Sequence, residues 1–440
     1  MRQLAYEIVY GTMEQERYSD KLFHHILNRE KQLTGREKRF LKRLSYGTIE
    51  RCIELDARLS QVSSLTVKRM TPSVRTVLRM ALYEILYMDQ IPGAVSCNEA
   101  VELLKKQEGE KYAGFVNGVL RAILRRRDVS ISLKEWQKLS LPKPLYDHLT
   151  GQYGRKTAVK IGEAFLKHKQ EITLHIDVSK IRLSSFRRLL AECGIETREA
   201  VYIKDALVVL GIENMRELPG YDKGWFFVQD ESSMLPVICA GISPGDQVVD
   251  VCSAPGGKAL HTLLCLKGTG TLSARDKNAS KVQVIERNIE RMGYTNASCK
   301  VWDGTVPDPQ WNERADVVLA DVPCSGIGII GRKPEIKYRA LDNIPSLVPV
   351  QRKIAKASVS MLKPGGTLLY STCTINHEEN EETVQWLISN CGMTPVSLDP
   401  FLPEKLRNKM TAQGMLQMLP GLQESDGFFV AKLKKADGHI

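Results

Sequence analysis

Two cysteines lie at the ends of two separate apolar runs, and this placement suggests reactive thiols. Cys324 ends the run VVLADVPCSG, and Cys373 ends the run in LLYSTCTINHEENEE, where an acidic segment follows directly. A cysteine thiolate is a strong nucleophile that can form a covalent intermediate with an electrophilic carbon. A lone buried cysteine is usually a small core residue. Two cysteines at corresponding strand ends favour covalent chemistry instead.

A glycine-containing turn follows another apolar run, in the segment VVDVCSAPGGKALH. Gly256 and Gly257 permit backbone conformations and a close approach that a Cβ atom would block. The segment lacks the G-x-x-x-x-G-K-[ST] spacing of a phosphate-binding loop and the G-x-G-x-x-G spacing of a dinucleotide site. A different nucleotide-like ligand is therefore predicted.

Acidic residues near the ends of the next two strands narrow the choice of ligand. Asp276 lies 19 residues beyond Gly257, where an acid typically accepts hydrogen bonds from ribose hydroxyls. Asp303 follows in KVWDGT, near the end of the third strand, where it can reach an adenine amine. Together the glycine turn and the two acids predict a pocket for S-adenosylmethionine. As isolated residues, such acids are more often turn or helix caps.

The elements that carry these residues alternate between strand and helix from about residue 220. Short apolar strands are predicted at DQVVDVCSA, GTLSARD, ADVVLADVP and GTLLYST, and amphipathic helices at KVQVIERNIERMG, VQRKIAKASVSML and ENEETVQWLISNC. This alternation is typical of a doubly wound parallel sheet with its ligand at the carboxyl ends of the strands. The acidic residues after Cys373 are interpreted as a helix start, because carboxylates suit the positive end of the helix dipole; they are Glu378, Glu379, Glu381 and Glu382.

The first 130 residues are predicted to be helical. SVRTVLRMALYEILYMD spaces its apolar residues three and four apart, as one face of a helix requires. In TGREKRFLKRLSYGTIER, Thr34 and Glu37 have the spacing of a capping box. Basic residues there alternate with core positions, so they form a helix face; they are Arg36, Lys38, Arg39, Lys42, Arg43 and Arg51.

The net charge of +11 is confined to the N-terminal half. Residues 1–130 hold 23 basic and 16 acidic side chains, residues 131–220 hold 15 and 11, and the rest hold 24 of each. This asymmetry predicts a polyanion-binding module joined to a neutral working domain. A basic surface that is only solvated remains the alternative.

Composition limits the other possibilities. The 440 residues suggest two or three domains. The first residues do not have the pattern of a signal peptide, and no apolar stretch is long enough for a membrane span, so we expect a cytoplasmic, monomeric protein. Its ten cysteines include no C-x-x-C pair, so we predict free thiols and no metal site. Residues 131–219 are interpreted as a small α+β connecting module, with strands at EITLHIDVSK and ALVVL and a helix at SSFRRLLAECGI.

Two sets of motifs resemble known families. NGVLRAILR and REKRFLKRLSYGTIER resemble the RNA-binding domain of the antitermination factor NusB. FFVQDESSM, DVCSAPGGK, DVPCSGIGIIGRKPEIKYR and STCTINHEENEE resemble the motif series of RNA 5-methylcytosine methyltransferases. Along its whole length the chain resembles the RsmB (Sun/Fmu) family of 16S ribosomal RNA methyltransferases. Three small departures are Ser253 for a frequent Ala, Lys281 for a frequent Arg, and Thr374 for a frequent Ser.

The resemblance implies a multidomain protein: a NusB-like helical domain at 1–130, the connecting module at 131–219, and a Rossmann-like class I methyltransferase domain at 220–440. It implies that Cys373 is the nucleophile that attacks carbon 6 of a cytosine in ribosomal RNA, that Cys324 helps the later release, and that Asp321 holds the base. A positively charged neighbour would lower the pKa of the nucleophilic thiol, and by resemblance of the motifs Lys258 is the nearest candidate for that neighbour. The implied S-adenosylmethionine ligands are Cys252, Ser253, Ala254, Pro255, Gly256, Gly257, Lys258, Asp276, Asp303 and Asp321.

Three alternatives remain open at this point. A DNA cytosine methyltransferase would use Cys324 as its nucleophile, and we expect no DNA substrate because Cys373 would then have no role. A transfer RNA methyltransferase of the same chemistry would share every catalytic motif, and only the NusB-like segment disfavours it. A non-catalytic RNA-binding assembly or antitermination factor would not need the intact cysteines, Asp321 and glycine turn.

Overall fold

The computed structural model describes residues 1–125, 132–167, 171–212 and 214–437. These residues group into two compact units. The first unit holds residues 1–168 together with Ile330–Arg339, and the second holds 169–329 and 340–440. Within the described ranges, no helix has the length and apolar character needed to cross a membrane.

The first unit is helical. Its helices are α1 Arg2–Met13, α2 Ser19–Arg29, α3 Gly35–Leu59, α4 Pro72–Tyr87, α5 Gly93–Glu108, α6 Ala113–Arg125, α7 Glu135–Lys138, α8 Lys143–Tyr153 and α9 Arg155–Phe165. The predicted capping box is confirmed, since Thr34 Oγ1 accepts from the Glu37 amide and Glu37 accepts from the Thr34 amide. Leu41 and Leu44 of α3 and Val77 of α4 are buried in the shared core, as their spacing predicts.

The second unit begins with a small antiparallel sheet. Its strands are β1 Glu171–Ile176, β2 Thr197–Glu199, β3 Ala206–Leu210 and β4 Phe226–Val228, in the order β2-β3-β1-β4. Helix α10, Leu183–Glu192, buries Phe186 and Leu190 against the core of this sheet. The predicted strands at EITLHIDVSK and ALVVL and the helix between them are therefore confirmed.

The second sheet of this unit has eight strands. Its elements, in chain order, are α11 Glu231–Ala240, β5 Gln247–Asp250, α12 Gly257–Leu266, β6 Thr271–Asp276, α13 Ala279–Met292, β7 Ala297–Val301, β8 Ala315–Asp321, α14 Ala340–Met361, β9 Leu362–Thr372, α15 Glu381–Cys391, β10 Met393–Pro395, α16 Lys409–Ala412, β11 Met415–Met418 and β12 Phe428–Lys435. The order is β10-β12-β9-β8-β5-β6-β7, with β11 paired to β12. Strands β5 to β9 are parallel and β12 is antiparallel to β9.

The predicted doubly wound sheet is confirmed. The chain leaves β5 for β6 on one side and later returns to place β8 on the other, so β5 and β8 form the topological switch point where ligands bind in such sheets.

The structure differs from the prediction in two details. Helix α14 begins ten residues before the predicted helix. The sequence pattern missed this part because it contains Pro345 and Pro349, and prolines ordinarily mark helix ends. The sheet also contains the antiparallel strands β10 to β12, which the sequence pattern did not indicate.

The structure groups the chain into two compact units, whereas the sequence predicts three domains. The two compact units do not test the three functional domains, so the three-part division stays a prediction. Helices α7 to α9, assigned to the connecting module, group with the first unit. Helix α8 begins between Pro142 and Pro144, with Pro144 in its first turn, where the missing N–H costs nothing. Strand β4 lies beyond residue 219 but pairs with β1.

The segment Ile330–Arg339 belongs to the helical unit although it follows the Cys324 loop in sequence. Glu335 is buried and accepts hydrogen bonds from the Ser19 amide (3.1 Å) and hydroxyl (2.9 Å) at the start of α2. A carboxylate there satisfies unpaired amides and suits the helix dipole. Tyr338 donates to the carbonyl of Ile49 at 2.8 Å. The segment thus completes the packing of α2 and α3.

Lys337 of this segment is buried and donates to the carbonyl of Glu50. Burial lowers the pKa of its ammonium to about 8. Because the folded pKa lies below the unfolded value, the unfolded chain holds more protons between about pH 8 and 10.5, and stability should rise with pH in that window.

We expect the stability of the parent relative to Lys337→Met to increase from pH 7.5 to pH 10. The change should be on the order of 1 to 3 kcal/mol, because the parent is relieved of its buried charge while the variant has none. Urea unfolding of both full-length proteins at the two pH values measures it. Lys333→Met, in the same segment at a side chain that is 42% exposed, is the matched control and should keep a constant difference from the parent. A pH-independent difference for Lys337→Met would contradict the buried ammonium.

Candidate active site

The parallel pairing of β8 with β9 brings the two predicted thiols together. Asp321, the last residue of β8, is in register with Ser371 of β9, and each strand then continues into a loop that carries a cysteine. The Sγ atoms of Cys324 and Cys373 lie 3.3 Å apart. The Gly328 amide donates to the Cys373 carbonyl at 3.1 Å, which joins the two loops through their backbones as well.

The two thiols are not equivalent. The hydrogen bond with Cys373, burial, and the charges of Cys373, Glu379 and Asp321 raise the pKa of the Cys324 thiol well above its ordinary value. Cys324 therefore keeps its proton at neutral pH and can donate it toward the Cys373 sulfur. The thiolate is the nucleophilic form of cysteine, and the 3.3 Å separation lets either sulfur donate a hydrogen bond to the other.

Asp321 is held from two sides beside the cysteines. Its Oδ2 accepts from the Lys258 ammonium at 2.7 Å, and its Oδ1 accepts from the Ser371 hydroxyl at 2.8 Å. The side chain stays 29% exposed, so each oxygen retains a lone pair for a further donor. Lys258 comes from the first turn of α12, the helix that follows the glycine turn. The immediate partner of Lys258 is thus Asp321.

The predicted cofactor turn has the geometry its glycines suggest. Gly256 has φ = +109°, a conformation that side chains with a Cβ rarely adopt. The Ser253 amide donates to the carbonyl of Arg275 at 2.7 Å, and the Asn288 side chain donates to the carbonyl of Pro255 at 3.0 Å. The turn is therefore fixed between β6 and α13.

The two predicted cofactor acids each use one oxygen to fix their own loop. Asp276 Oδ1 accepts from the Asn278 amide at 3.0 Å, and Asp303 Oδ1 accepts from the Thr305 amide at 3.0 Å. The other oxygens face lysines: Asp276 lies 3.7 Å from the Lys281 ammonium and Asp303 lies 2.8 Å from that of Lys277. The Lys277 hydrogen bond is the first cause that lowers the pKa of Asp303 to about 2.

Asp250, at the end of β5, is a site residue that the sequence reasoning missed. Both of its carboxylate oxygens are buried and lack a hydrogen-bond partner among the described residues. Burial raises its pKa to about 7, while weak contacts with the Ser253 side chain and the Cys252 backbone and the charge of Lys258 oppose the shift. The signal was available, because β5, β6 and β8 all end in aspartate.

The aspartates that end β5, β6 and β8 all affect the titration of one residue, Cys252. Burial and then the charges of Asp250, Asp321 and Asp276 raise the pKa of Cys252. A buried, unpaired carboxylate is relieved most by a cationic ligand. The residues present therefore fit a ligand that carries a positively charged group, beside a glycine turn and two further acids.

A second missed residue is Glu379, for which the interpretation as a helix-start carboxylate is wrong. Glu381 and Glu382 do lie in the first turn of α15, but the Glu379 side chain is fully buried before that helix. It accepts hydrogen bonds from the amide of Ser325, in the Cys324 loop, and from the Gln351 side chain of α14. No local signal separates it from its neighbours, because its burial depends on residues 28 and 54 positions away.

Comparison with known proteins agrees with this architecture. Residues 238–434 match the family model described as 16S rRNA methyltransferase RsmB/F, and residues 1–125 match the NusB family. The chain is 30% identical to the probable ribosomal RNA small subunit methyltransferase B of Synechocystis sp., over 99% of each chain. It is 32% identical to the protein of the same name from Bacillus subtilis, over 99% of this chain and 98% of that one. The crystal structure of PH0851 has the same fold, with a TM-score of 0.82 at 23% identity over 99% of this chain and 98% of that one.

The fold and the matched models define a methyltransferase with an N-terminal NusB-family domain. The chain belongs to the ribosomal RNA small subunit methyltransferase B family.

Proposed function

We propose that this protein transfers a methyl group from S-adenosylmethionine to carbon 5 of a cytidine in small-subunit ribosomal RNA, through a covalent bond between Cys373 and the base. The observation that carries the proposal is the pair of thiols 3.3 Å apart, in the loops that follow the paired strands β8 and β9. The names of the two relatives supply the substrate class.

Cofactor binding is assigned to the residues around the β5 strand end. The unpaired carboxylate of Asp250 would hold the cationic part of S-adenosylmethionine, the turn at Gly256 and Gly257 would pack against it, and Asp276 and Asp303 would hold the ribose and the adenine. When bound, S-adenosylmethionine supplies a methyl group on a positively charged sulfur.

Cys373 makes the base reactive. Its thiolate adds to carbon 6 of the cytosine, the displaced electrons move through carbon 4 to nitrogen 3, and nitrogen 3 takes a proton from water, so that carbon 5 becomes the nucleophilic end of an enamine. Asp321 would hold the ring nitrogen and the amine, with Lys258 and Ser371 fixing its orientation. Such fixed charges stabilise the charge that develops on the ring.

Cys324 would act in the release step. Once Cys373 is bonded to carbon, its negative sulfur and its hydrogen bond no longer raise the pKa of Cys324, while burial and the charges of Glu379 and Asp321 still do. Cys324 would then give its proton to water in order to serve as the base. The Cys324 thiolate then takes the hydrogen of carbon 5. The electrons of that C–H bond re-form the 5,6 double bond, the S–C6 bond breaks, Cys373 leaves as a thiolate, and nitrogen 3 returns its proton to water.

The target base must leave any stack, because attack comes perpendicular to the ring. Single-stranded or loop RNA is therefore the form we expect to bind, and the exposed basic face of α3 would contact its phosphates. Arg36, Arg39 and Lys42 lie on that face, opposite the buried Leu41 and Leu44. A protonated Cys324 is a poor nucleophile, which disfavours DNA-type chemistry.

We expect the full-length protein to incorporate labelled methyl groups from S-adenosylmethionine into small-subunit ribosomal RNA and to leave transfer RNA and DNA unlabelled. Bisulfite sequencing of the product should locate 5-methylcytosine at a single unpaired cytidine. Label in transfer RNA at a comparable rate would favour the alternative substrate. No label in any RNA, from protein that binds S-adenosylmethionine, would contradict the proposed function.

A further inference from the structure

Glu379 is a buried carboxylate with four hydrogen-bond donors around it. Its Oε1 accepts from the Ser325 amide at 2.8 Å and from Gln351 Nε2 at 2.9 Å. Its Oε2 accepts from the Ser325 hydroxyl at 2.5 Å and from Asn376 Nδ2 at 3.3 Å. Every one of these groups donates to it, which is the arrangement an ionised carboxylate satisfies and an amide cannot.

The donors hold the chain on both sides of Cys324. Ser325, the next residue, gives Glu379 both its amide and its hydroxyl, and the hydroxyl also contacts Thr374 at 2.8 Å. Gln351 donates to the carbonyl of Pro323, the preceding residue, at 3.0 Å. Through Ser325 directly and through Gln351, a single carboxylate fixes the peptide segment that carries the Cys324 thiol.

The Glu379 carboxylate holds the Cys373 loop less firmly than it holds the Cys324 loop. The Cys373 loop reaches the carboxylate through the longest of the four bonds, from Asn376, and it has a separate attachment in Asn380. Asn380 accepts from the Thr372 hydroxyl at 2.6 Å and donates to the Thr374 carbonyl at 3.2 Å. Removing the Glu379 charge should therefore loosen Cys324 more than Cys373.

The Cys324 loop has little room to relax into another position. A Cβ at Gly328 would come within 2.2 Å of the Gly427 carbonyl oxygen, so this part of the loop is packed directly against backbone. The Gly427 amide also donates to the Gly328 carbonyl at 2.8 Å. With Gly328 fixed on one side, the Glu379 contacts determine where the Cys324 sulfur lies on the other.

We propose that Glu379 is a positioning residue for the release step: it holds Cys324 where the thiolate can take the hydrogen from carbon 5. This inference rests on the proposed function. Glu379 does not touch the base, and it acts through Ser325. Its loss should slow release while Cys373 still attacks and the methyl group is still transferred, so RNA should remain bonded to Cys373.

The test compares Glu379→Gln with the parent in full-length protein, using small-subunit ribosomal RNA and S-adenosylmethionine. Glutamine keeps the shape, but its NH2 group faces two of the four donors. We expect kcat to fall ~10- to 100-fold, as for a misplaced catalytic group. The kcat/KM values for RNA and S-adenosylmethionine should change less than ~3-fold, because attack and methyl transfer precede the slowed step; the KM values should therefore fall together with kcat. A denaturation-resistant protein–RNA adduct should accumulate, and it should disappear in the double variant Glu379→Gln/Cys373→Ala.

Glu378→Gln, at an exposed position of the same acidic run, is the matched control and should behave as the parent. Ser325→Ala removes one donor at small cost to packing and should also accumulate adduct, so the inference stays testable if Glu379→Gln fails to fold. Slow turnover without adduct in the folded variants would overturn the inference. Cys324→Ala separates this result from failure of the proposed function: an adduct there, and none in Glu379→Gln or Ser325→Ala, would overturn only the role of Glu379.

Discussion

Replacing Cys373 by alanine is expected to abolish methyl transfer, with a loss of at least ~10³-fold, because carbon 5 of cytosine does not attack the methyl group without prior addition at carbon 6. The variant should still bind S-adenosylmethionine, since none of the assigned cofactor residues is changed. It should form no covalent adduct with RNA. Labelled methyl transfer, a denaturing gel and calorimetry with S-adenosylmethionine measure the three properties.

Cys391→Ala provides the matched control, because Cys391 is a partly buried free cysteine at the end of α15 and has no role in the proposed chemistry. Both substitutions should cost only ~1 kcal/mol of stability, as trimming one small side chain usually does. Full activity in Cys373→Ala, or loss of activity equal to that of the control, would show that Cys373 is structural. An adduct formed by Cys373→Ala would assign the nucleophile to another residue.

Replacing Cys324 by alanine is expected to trap the enzyme on its substrate. Cys373 can still attack, and the methyl group can still be transferred, but no thiolate is available to take the hydrogen from carbon 5. The protein should then migrate with RNA on a denaturing gel, in a thiol-linked complex that needs S-adenosylmethionine to form. Multiple turnover should fall by ~10² to 10⁴, the usual contribution of a positioned base.

The same substitution distinguishes the alternatives that the sequence leaves open. If Cys324 were the nucleophile, as in DNA-type chemistry, the Cys324 variant would form no adduct and the Cys373 variant would form one. If the chain were a non-catalytic RNA-binding factor, neither variant nor the parent would form a covalent complex. The double variant Cys324→Ala/Cys373→Ala completes the comparison, because an adduct that persists there would have to involve a different side chain.

The sequence alone was sufficient where a feature depends on neighbouring residues. The capping box at Thr34 and the strand–helix alternation after residue 220 follow from spacings within one element, and the structure confirms them. Helix α4 is buried around most of its surface and not only along the predicted apolar face. The two cysteines were identified in the same way, because each follows a readable apolar strand. Asp250 shares the strand-end pattern of Asp276 and Asp321 and could have been included on that ground.

Tertiary structure decided the features that join distant parts of the chain. The β8–β9 register places Cys324 beside Cys373, and strand register is set by pairing and packing that no single strand encodes. Ile330–Arg339 packs in the helical unit, where its buried partners are Ser19 and carbonyls of α3. These partners lie about 300 residues away in sequence, so no local pattern indicates them. Glu379 and Glu378 are adjacent and chemically identical, yet only Glu379 is buried. Burial and hydrogen-bond partners are properties of the packed elements, so the fold alone determines which of the two carboxylates is buried beside the Cys324 loop.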